Sequence, residues 1–533
     1  MGTIRVIDCG QEWFERPQYR PRIHGSSGGA WFLLDRAFHP EEEVPLIEPP
    51  EPRAGRAKLR AAFDETYAAW RISPSEAAAR SLSEIARAGT AAVVTGQQPG
   101  FLGGPLHTLY KALTAVAASR RYRKLTGRPC VPVFWVAGDD HDFDEVRDAV
   151  FPGPGGEVTF RFPGAADRRP IADHAVGREA ESVLDQAAGH FAARRFGREA
   201  GLLVNLYRSR TLASGFAAML AELLGPTGLL VLDPVTVRGP AARIFRGVIE
   251  EPEKIVEIVK AGRQDVEAKG IEPFVAARLP LFIVRDGRRH HLSPAPGGLR
   301  IDGGGPEIST QEALRELASD PRCFSHGALL RPIVQEECLP CILSIGGPAE
   351  VGYFAQIGPL AAHFGFARAR IALRLNATIV DGRQARTAAS IPPERLSRAR
   401  SSEDLLDPGA EPERLQALHA LGGRIGEELA GAAREVASGD EFDRLEQRAR
   451  GIAKDIDAFA GRLSRARLAS KERELEEARK LWDLLLPAGS LQERRWGFLH
   501  FVAKHGRGWI DELLEAVEAD PLKVRHRLVS FEA

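Results

Sequence analysis

The sequence predicts an α/β protein whose core is a doubly wound parallel sheet and whose later part is an antiparallel helical coiled coil. Two observations predict the sheet: apolar runs of strand length recur along the chain, and glycine-rich turns with helical patterns follow several of them. A third observation predicts the coiled coil, because apolar residues between positions 418 and 463 recur at steps of three and four.

The first strand, turn and helix begin at residue 91. An apolar run breaks into Thr95-Gly96-Gln97-Gln98, and a glycine pair, Gly103-Gly104, precedes a helical pattern that starts near Leu106. Such a turn can bind an anion, because free N–H groups and the helix dipole both favour negative charge there. The spacing matches neither the dinucleotide fingerprint nor the P-loop. The turn therefore predicts an anion site, and a plain connecting loop is the alternative.

A second apolar run, Val131 to Val136, ends in the acidic cluster Asp139-Asp140-His141-Asp142. Together with the intervening helix, near Leu106 to Leu125, these strands form one βαβ unit. Ligands of open α/β sheets bind at the carboxyl ends of the strands, where both motifs are expected to meet. The cluster therefore predicts a functional site. The alternative is a set of acids that cap a helix.

A third transition of the same kind follows residues 341–345, where Gly346-Gly347-Pro348 precedes a helical segment. Its polar residues Glu350, Tyr353 and Gln356, with Arg331 upstream, are candidates to line the same cleft. The alternative for Glu350 is an acid that the helix dipole favours in the first turn.

Composition limits the class of protein. The chain has 533 residues and a formal net charge of zero, so no broad basic field favours nucleic acid. It has no apolar run of membrane-spanning length and no signal-peptide core, and we expect a cytoplasmic location. Five cysteines do not describe a disulfide framework. Cys338 and Cys341 form a C-x-x-C pair, which we interpret as buried small residues rather than a redox or zinc site, and no metal is assigned.

The predicted organisation alternates core segments with insertions. We expect a pair His290-His291 to lie in a charged surface turn. Two helical stripes separated by Ser438-Gly439-Asp440 predict the coiled-coil hairpin, which we expect to serve dimerisation. The segments are the first part of the core (1–150), an insertion (151–200), core (201–240), a second insertion (241–325), the last part of the core (326–390), the coiled-coil hairpin (391–480) and a C-terminal segment that packs on the core (481–533).

Four long motifs give the chain a family resemblance. TGQQPGFLGGPLHTLYK, PVFWVAGDDHDFDEV, LLRPIVQEECLPCILSIGGPAEVGYFAQ and LQERRWGFLHFVAKHG occur in this order, and together they resemble the BshC family of bacillithiol biosynthesis. The resemblance implies a Rossmann-like core with two connecting insertions and a coiled-coil homodimer. It also implies a nucleotide-associated ligase that joins the carboxyl of L-cysteine to the amine of glucosaminyl-malate.

Amide formation from a free carboxylate needs an activated carboxyl, a site for the departing phosphate and a base for the ammonium. The expected nucleotide is ATP or ADP. The candidate catalytic residues are His107, Lys111, Asp140 and His141, with His141 as the base for the attacking amine. The candidate binding residues are Thr95, Gly96, Gln97, Gln98, Gly103, Gly104, Tyr110, Asp139, Asp142, Arg331, Gly346, Gly347, Glu350, Tyr353, Gln356, Gln492 and Arg494.

Two other functions stay open at this point. A metal-dependent hydrolase would use Asp139 to Asp142 as ligands, although consecutive residues seldom converge on one ion. A nucleotide-binding coiled-coil scaffold of thiol metabolism would need no convergent acid–base groups. The signatures of class I synthetases, H-I-G-H and K-M-S-K-S, are not found, and only Pro105-Leu106-His107-Thr108 stands where the first would lie.

Overall fold

A computed structural model describes residues 4–9, 13, 41, 43–269, 273, 275–367, 370–406, 413–468 and 472–531. The chain divides into two compact units, one of residues 1–378 with 490–533 and one of residues 379–489. Among the described residues, no helix is both long and apolar enough to cross a membrane.

The strands are named in chain order: β1 Ile4–Asp8, β2 Ala91–Gln97, β3 Cys130–Val136, β4 Asp148–Gly153, β5 Gly156–Arg161, β6 Leu230–Leu232, β7 Leu281–Arg285, β8 Arg288–Ala295, β9 Gly298–Ile301, β10 Glu307–Ser309, β11 Phe324–His326, β12 Cys341–Gly346, β13 Ile371–Leu373, β14 Asn376–Val380 and β15 His526–Phe531.

The α-helices of the first unit are α1 Arg56–Ala69, α2 Glu76–Ile85, α3 Leu106–Thr126, α4 Phe143–Val146, α5 Arg178–Ala192, α6 Gly197–Asn205, α7 Leu212–Leu224, α8 Ala242–Glu250, α9 Pro252–Glu267, α10 Thr310–Ser319, α11 Arg331–Cys338, α12 Pro348–Phe354 and α13 Gly358–His363. The second unit holds α14 Gly382–Ala389, α15 Pro393–Arg398, α16 Glu413–Val436, α17 Asp440–Leu468 and α18 Glu472–Leu485. The C-terminal segment of the first unit adds α19 Gln492–Arg495, α20 Leu499–His505 and α21 Gly508–Glu518.

A five-stranded parallel sheet forms the centre of the first unit, in the order β13-β12-β2-β3-β6. The chain runs outward from β2 through β3 to β6, and then returns to β12 and β13 on the other side. The order therefore reverses between β2 and β12, and at such a switch point the carboxyl ends of the strands leave a crevice for a ligand. The predicted doubly wound, Rossmann-like sheet is confirmed.

The sequence explains why these strands and their helix are central. Every residue of β3 is buried, as expected for a parallel strand that is covered on both faces. Helix α3 is buried on most of its sides and ends at Gly127, whose φ of 71° is the left-handed conformation that glycine favours at a helix end. The core between sheet and helix contains Val93, Ala115, Tyr122 and Leu343.

An antiparallel sheet, in the order β10-β9-β8-β7-β11, occupies the second predicted insertion and extends one residue beyond it, to His326. The prediction that His290-His291 lies in a charged surface turn is wrong, because both residues belong to strand β8. The ring of His291 is partly buried and contacts the carboxylate of Asp302 and the carbonyl of Leu279. This sheet brings its β7, β8 and β11 side chains to the central sheet.

The C-terminal segment returns to the first unit. Strand β15 pairs antiparallel with β1, and the backbone at Gly497 forms a bridge with Pro105 at the start of α3. The N–H of Leu106 donates to the carbonyl of Trp496 at 2.9 Å. The N-terminus of α3 is therefore in contact with residues almost 400 positions later in the chain.

In the second unit, α16 and α17 form the predicted antiparallel helix pair. Gly439, with φ of 63°, lies in the connection between them, as the sequence indicated. The residues in the interface are small: Gly422 approaches Asp457, Gly426 approaches Ala453, and Ala449 is buried. The predicted large apolar stripe is only partly inside the pair, because five of its members are exposed: Leu429, Val436, Leu445, Phe459 and Leu463. Close approach of the helices over glycine and alanine leaves these larger side chains on the outside.

Candidate active site

A cavity of about 610 Å³ lies at the carboxyl ends of β2, β3 and β12, where the strand order reverses. Its volume is in the range of small-molecule sites. The central sheet and its following turns contribute Gly96, Gln97, Gln98, Trp135, Ala137, Asp139, Asp140, His141, Asp142, Ala349, Glu350 and Tyr353 to its lining. The inserted sheet, with the residues just before and after it, contributes Val275, Ala276, Arg278, Leu279, Pro280, Phe282, Arg289, His291, His326, Gly327, Ala328, Leu329 and Arg331.

Asp139 is the most deeply buried acid of this cavity. Its Oδ2 accepts a hydrogen bond from Arg238 Nη2 at 3.2 Å and lies 3.6 Å from Nε2 of His326. Burial opposes ionisation of the carboxyl, but His326, Arg238 and Arg289 outweigh it and lower the pKa of Asp139. Asp139 is therefore a fixed negative charge beside His326.

Asp140, the next residue, lies at the edge of the cavity, and its carboxylate accepts three hydrogen bonds. Its Oδ2 accepts from Gln98 Nε2 at 2.8 Å, while Oδ1 accepts from the backbone N–H of His141 at 2.7 Å and from Arg289 Nη1 at 3.2 Å. Burial opposes ionisation, but these contacts hold the pKa of Asp140 well below its usual range. The carboxylate therefore stays charged at neutral pH.

His141 is oriented by the same arginine. Arg289 Nη1 lies 3.1 Å from His141 Nδ1, and a guanidinium has only donors, so Nδ1 accepts this bond. In the neutral ring the proton then lies on Nε2. The predicted role of His141 as base conflicts with this geometry, because its one free lone pair is already engaged and its other nitrogen is a donor.

Lys111 and Glu350 form an ion pair beside the cavity. Lys111 Nζ also donates to the carbonyl of Gly96 at 2.9 Å and to Gln97 Oε1 at 2.7 Å. Burial lowers the pKa of Lys111, which Glu350 partly restores. Burial also opposes the ionisation of Glu350, but Lys111 and Arg331 lower the pKa of its carboxyl. Arg331 in turn donates to the hydroxyl of Tyr353 at 2.7 Å. This group joins the ends of β2 and β12 across the switch point.

The glycine pair Gly103-Gly104 does not line the cavity. The N–H of Gly103 donates to the hydroxyl of Tyr207 at 3.0 Å, and a Cβ at Gly103 would lie 2.3 Å from the ring of Phe498. Because Trp496 accepts from the N–H of Leu106, the turn and the N-terminus of α3 are covered by the C-terminal segment. The anion site predicted at Gly103-Gly104 is therefore closed by protein.

His107 lies in a second charged cluster on the covered side. Its Nδ1 is 3.2 Å from the backbone carbonyl of Glu493, and Glu493 Oε1 accepts from Arg374 Nη2 at 2.7 Å. The side chains of Arg374 and Glu493 are 2% and 1% exposed. Burial, with the charges of Arg374 and Lys111, lowers the pKa of His107 well below its usual value. The structure gives His107 a contact with the C-terminal segment and no place in the cavity lining.

The remaining predicted residues outside the cavity lining have structural contacts instead. Thr95 Oγ1 donates to the carbonyl of Ile345 at 2.9 Å and ties β2 to β12. The N–H of Gly347 donates to Glu350 at 2.8 Å. Gln356 pairs with both backbone polar groups of Val275 at 3.2 Å, so it holds a wall of the cavity. Tyr110, Gly346 and Gln492 are buried elsewhere, and Arg494 is exposed.

Sequence reasoning missed the contribution of the insertion. Arg289 is the central example: Nε donates to Ser325 Oγ at 2.9 Å, Nη2 donates to the carbonyl of His326 at 2.7 Å, and the guanidinium lies 3.7 Å from the ring centre of Phe282. No spacing in the sequence links Arg289 or His326 to Asp139. Arg238 had a weak signal, since it follows the end of strand β6 by a few residues.

The cluster Asp140, His141 and Asp142 has ligand atoms within 4.8 Å of one another, as a metal site requires. However, the permanently charged guanidinium of Arg289 donates to both Asp140 and His141. A cation would have to displace this arginine to gain both ligands. The donor set therefore fits an ion pair better than a metal ion, which disfavours the hydrolase alternative.

Comparisons with known proteins agree with the fold. Residues 41–375 match the family model for the N-terminal Rossmann-like domain of the bacillithiol biosynthesis protein BshC. Residues 440–531 match the model for the C-terminal coiled-coil domain of the same family.

Relatives from several bacteria align over most of their length, each named "Putative cysteine ligase BshC". The protein of Heliobacterium modesticaldum is 30% identical over 473 residues, which cover 83% of this chain and 84% of the relative. The protein of Geobacillus thermodenitrificans is 28% identical over 488 residues, or 86% and 88% of the two chains. The protein of Solibacter usitatus is 29% identical over 515 residues, or 92% and 95%. The chain thus belongs to the BshC family of bacillithiol biosynthesis.

Proposed function

We propose that this protein is an amide-forming ligase that adds L-cysteine to the amine of glucosaminyl-malate and so completes bacillithiol. One observation carries the proposal beyond family membership. The cavity at the strand switch point combines fixed carboxylates with buried cations and three histidines. Such a lining suits two polar substrates that carry amines and carboxylates at the same time.

The acids of the cluster hold the ammonium group of L-cysteine in this proposal. Asp140 stays ionised, and Asp142 next to it is exposed at the cavity. Arg331 and the exposed Arg278 line the same space and supply positive charge for substrate carboxylates. Phe282, Leu279 and Pro280 form an apolar wall that limits the access of water to the reacting carboxyl.

Carboxyl activation requires a nucleoside triphosphate, for which we propose ATP. Because the turn at Gly103-Gly104 is covered, the phosphates are assigned to the cavity side of the switch point. Gln97 ends β2 there and Gln98 follows it, and Lys111 and Arg331 are the nearby cations. ATP and free cysteine are pools of the cytoplasm, which is where the proposed reaction places the protein.

We further propose a homodimer through the second unit. The five exposed apolar residues Leu429, Val436, Leu445, Phe459 and Leu463 belong to α16 and α17. Exposed apolar stripes of this kind commonly mark association surfaces. Sedimentation should give a dimer for the wild-type chain and a monomer when Phe459 and Leu463 are both changed to Glu. A dimer that persists in this variant contradicts the assignment.

The reaction is tested in a cell extract from a bacillithiol-producing bacterium that lacks its own family member. The purified protein is added with ATP, glucosaminyl-malate and L-cysteine labelled with ¹⁸O in its carboxyl. We expect bacillithiol by mass spectrometry, with one ¹⁸O atom passed to inorganic phosphate for an acyl phosphate or to AMP for an acyl adenylate. Absence of bacillithiol with folded protein would overturn the proposed function.

A further inference from the structure

Three histidines line the cavity. Both ring nitrogens of His291 contact protein groups, and the other two histidines, His141 and His326, lie on opposite sides of the cavity. His141 follows strand β3 of the central sheet, and His326 ends strand β11 of the inserted sheet. A carboxylate oxygen lies 3.6 Å from one nitrogen of each ring: Asp140 Oδ1 from His141 Nδ1, and Asp139 Oδ2 from His326 Nε2. Only His141 also has a guanidinium donor within hydrogen-bond distance of that nitrogen, Arg289 Nη1 at 3.1 Å. This difference sets which nitrogen of each ring can take a proton.

His326 is controlled by a carboxylate. Its Nε2 is buried and lies 3.6 Å from Oδ2 of Asp139, which stays ionised. A neutral ring in this position places its proton on Nε2, facing the negative charge, and keeps the lone pair on Nδ1. Burial lowers the pKa of His326 to about 4, even with Asp139 opposing the shift, so the ring is neutral at pH 7. Nδ1 is the nitrogen that this ring offers to a ligand.

His141 has the reverse arrangement. Its Nδ1 accepts from Arg289, so the neutral ring offers a donor, Nε2–H. Arg289 also donates to the backbone carbonyl of His326 at 2.7 Å. One buried arginine therefore positions both histidines across the cavity, while Asp139 and Arg289 give them opposite hydrogen-bonding characters.

We infer that His326 is the general base of the amide-forming step, and that His141 donates a hydrogen bond to the carbonyl oxygen under attack. The inference rests on the proposed function. The amine nitrogen attacks the carbonyl carbon of the activated cysteine, formed with a nucleoside triphosphate. The C–N bond forms, the nitrogen loses one proton to Nδ1 of His326, and the C–O bond to phosphate or AMP breaks with its electron pair leaving on oxygen. Asp139 stabilises the imidazolium that results, as the carboxylate of a catalytic triad does.

Two glutamine substitutions separate the roles. Glutamine keeps an N–H donor but cannot carry a proton at neutral pH. His326→Gln should therefore reduce the rate of bacillithiol formation by about 10²- to 10⁴-fold. His141→Gln should retain activity within about tenfold, because a donor is still present. His290→Gln, on strand β8 and outside the cavity lining, is the matched control and should behave as the wild type.

A full rate in His326→Gln, or a larger loss in His141→Gln than in His326→Gln, would overturn the inference. A wild-type chain that forms no bacillithiol would instead contradict the proposed function, so the two failures are distinguishable. The rates are compared only for variants whose thermal unfolding matches the wild type.

A second measurement does not depend on turnover. Nitrogen-15 spectra of the wild-type protein, labelled in histidine, report which ring nitrogen carries the proton; the variant spectra assign the signals. At pH 7 we expect His326 to be neutral with its proton on Nε2, and Nδ1 free. A proton on Nδ1 of His326 would remove the proposed acceptor and overturn the inference.

Discussion

The two glycine turns that face the strand switch point look alike in the sequence but differ in the folded chain. At Gly346-Gly347 the following residues Ala349, Glu350 and Tyr353 line the cavity. At Gly103-Gly104 the turn is covered by Phe498 and Trp496 of the C-terminal segment. A glycine-rich turn before a helix thus predicts backbone geometry. Whether the space beside it remains open for a ligand depends on a segment far away in the chain.

The charged groups beside the two turns differ in the same way as the turns: one set reaches the cavity and the other is buried in protein. Around the open turn, Asp140 and Glu350 are paired but reach the cavity. Around the covered turn, Arg374 and Glu493 are almost fully buried and bind only protein. The first set can exchange a protein partner for a ligand, whereas the second set fixes the C-terminal segment. Substitutions of the same chemical kind should therefore affect activity in one region and stability in the other.

A large effect on activity is expected for Asp140→Asn in the open region. The amide keeps the shape and acceptor of the carboxylate but loses the charge that holds the substrate ammonium. We expect bacillithiol formation to fall by about 100-fold or more. Unfolding free energy should change by less than about 2 kcal/mol, because the side chain is 29% exposed. An active variant would place substrate binding elsewhere.

The matched change in the covered region is Glu493→Gln. It leaves the buried Arg374 without its carboxylate, which should cost about 3–5 kcal/mol of unfolding free energy in urea denaturation. Activity per folded molecule should stay close to that of the wild type. A large loss of activity in a protein of normal stability would show that the covered cluster takes part in the reaction.

Two glycine-to-alanine changes sharpen the comparison further. At Gly103 a Cβ would collide with Phe498 at 2.3 Å, and φ is 88°, so we expect a loss of about 2–3 kcal/mol. At Gly347 φ is −82° and a Cβ meets nothing closer than 3.6 Å, so the loss should stay below about 1 kcal/mol. If urea denaturation gave the two variants equal losses of unfolding free energy, the contrast between the two turns would be contradicted.

The last prediction concerns the dependence of stability on pH. The pKa of His326 is lowered to about 4 by burial, with Arg289, Arg238 and Arg331 adding to the shift and Asp139 opposing it. In the unfolded chain this histidine has its ordinary pKa of 6.5, so below that pH the unfolded chain binds a proton that the folded chain does not. The folded state therefore keeps its full stability at pH 7 and loses part of it as the pH falls from about 6.5 to about 4.

Between pH 7 and pH 5 the titration of this histidine alone should lower the free energy of unfolding by about 2 kcal/mol. The unfolding free energy of His326→Gln should therefore fall by about 2 kcal/mol less than that of the wild type over the same interval, as measured by urea denaturation at both pH values. An identical loss in both proteins would show that His326 titrates normally in the folded state.

Much of the fold followed from the sequence. Continuous apolar runs predict buried parallel strands, and the strands β2, β3, β6 and β12 were found where these runs lie. The helix pair also followed from periodicity, but its packing did not. A stripe of large residues predicts a large-residue interface, whereas glycines and alanines at the contact allowed the helices to approach more closely.

Only part of the candidate site could be predicted from the sequence. Residues that directly follow parallel strands, such as Gln98 and Asp140, must lie at one edge of the sheet, so their meeting could be inferred. Arg289 and His326 come from an antiparallel insertion, whose position over the sheet depends on tertiary packing. The covered turn was equally unpredictable, since Trp496 and Phe498 close it from nearly 400 residues away.

The central claim is that the open cavity, and not the covered turn, carries bacillithiol synthesis. Its most direct test is the thiol profile of a bacterium whose own family member is deleted, after expression of this chain or its Asp140→Asn variant at equal levels. We predict that the wild-type chain restores bacillithiol and removes accumulated glucosaminyl-malate, while the variant does neither. Restoration by both proteins, or by neither when the wild-type chain is folded and abundant, would contradict the account.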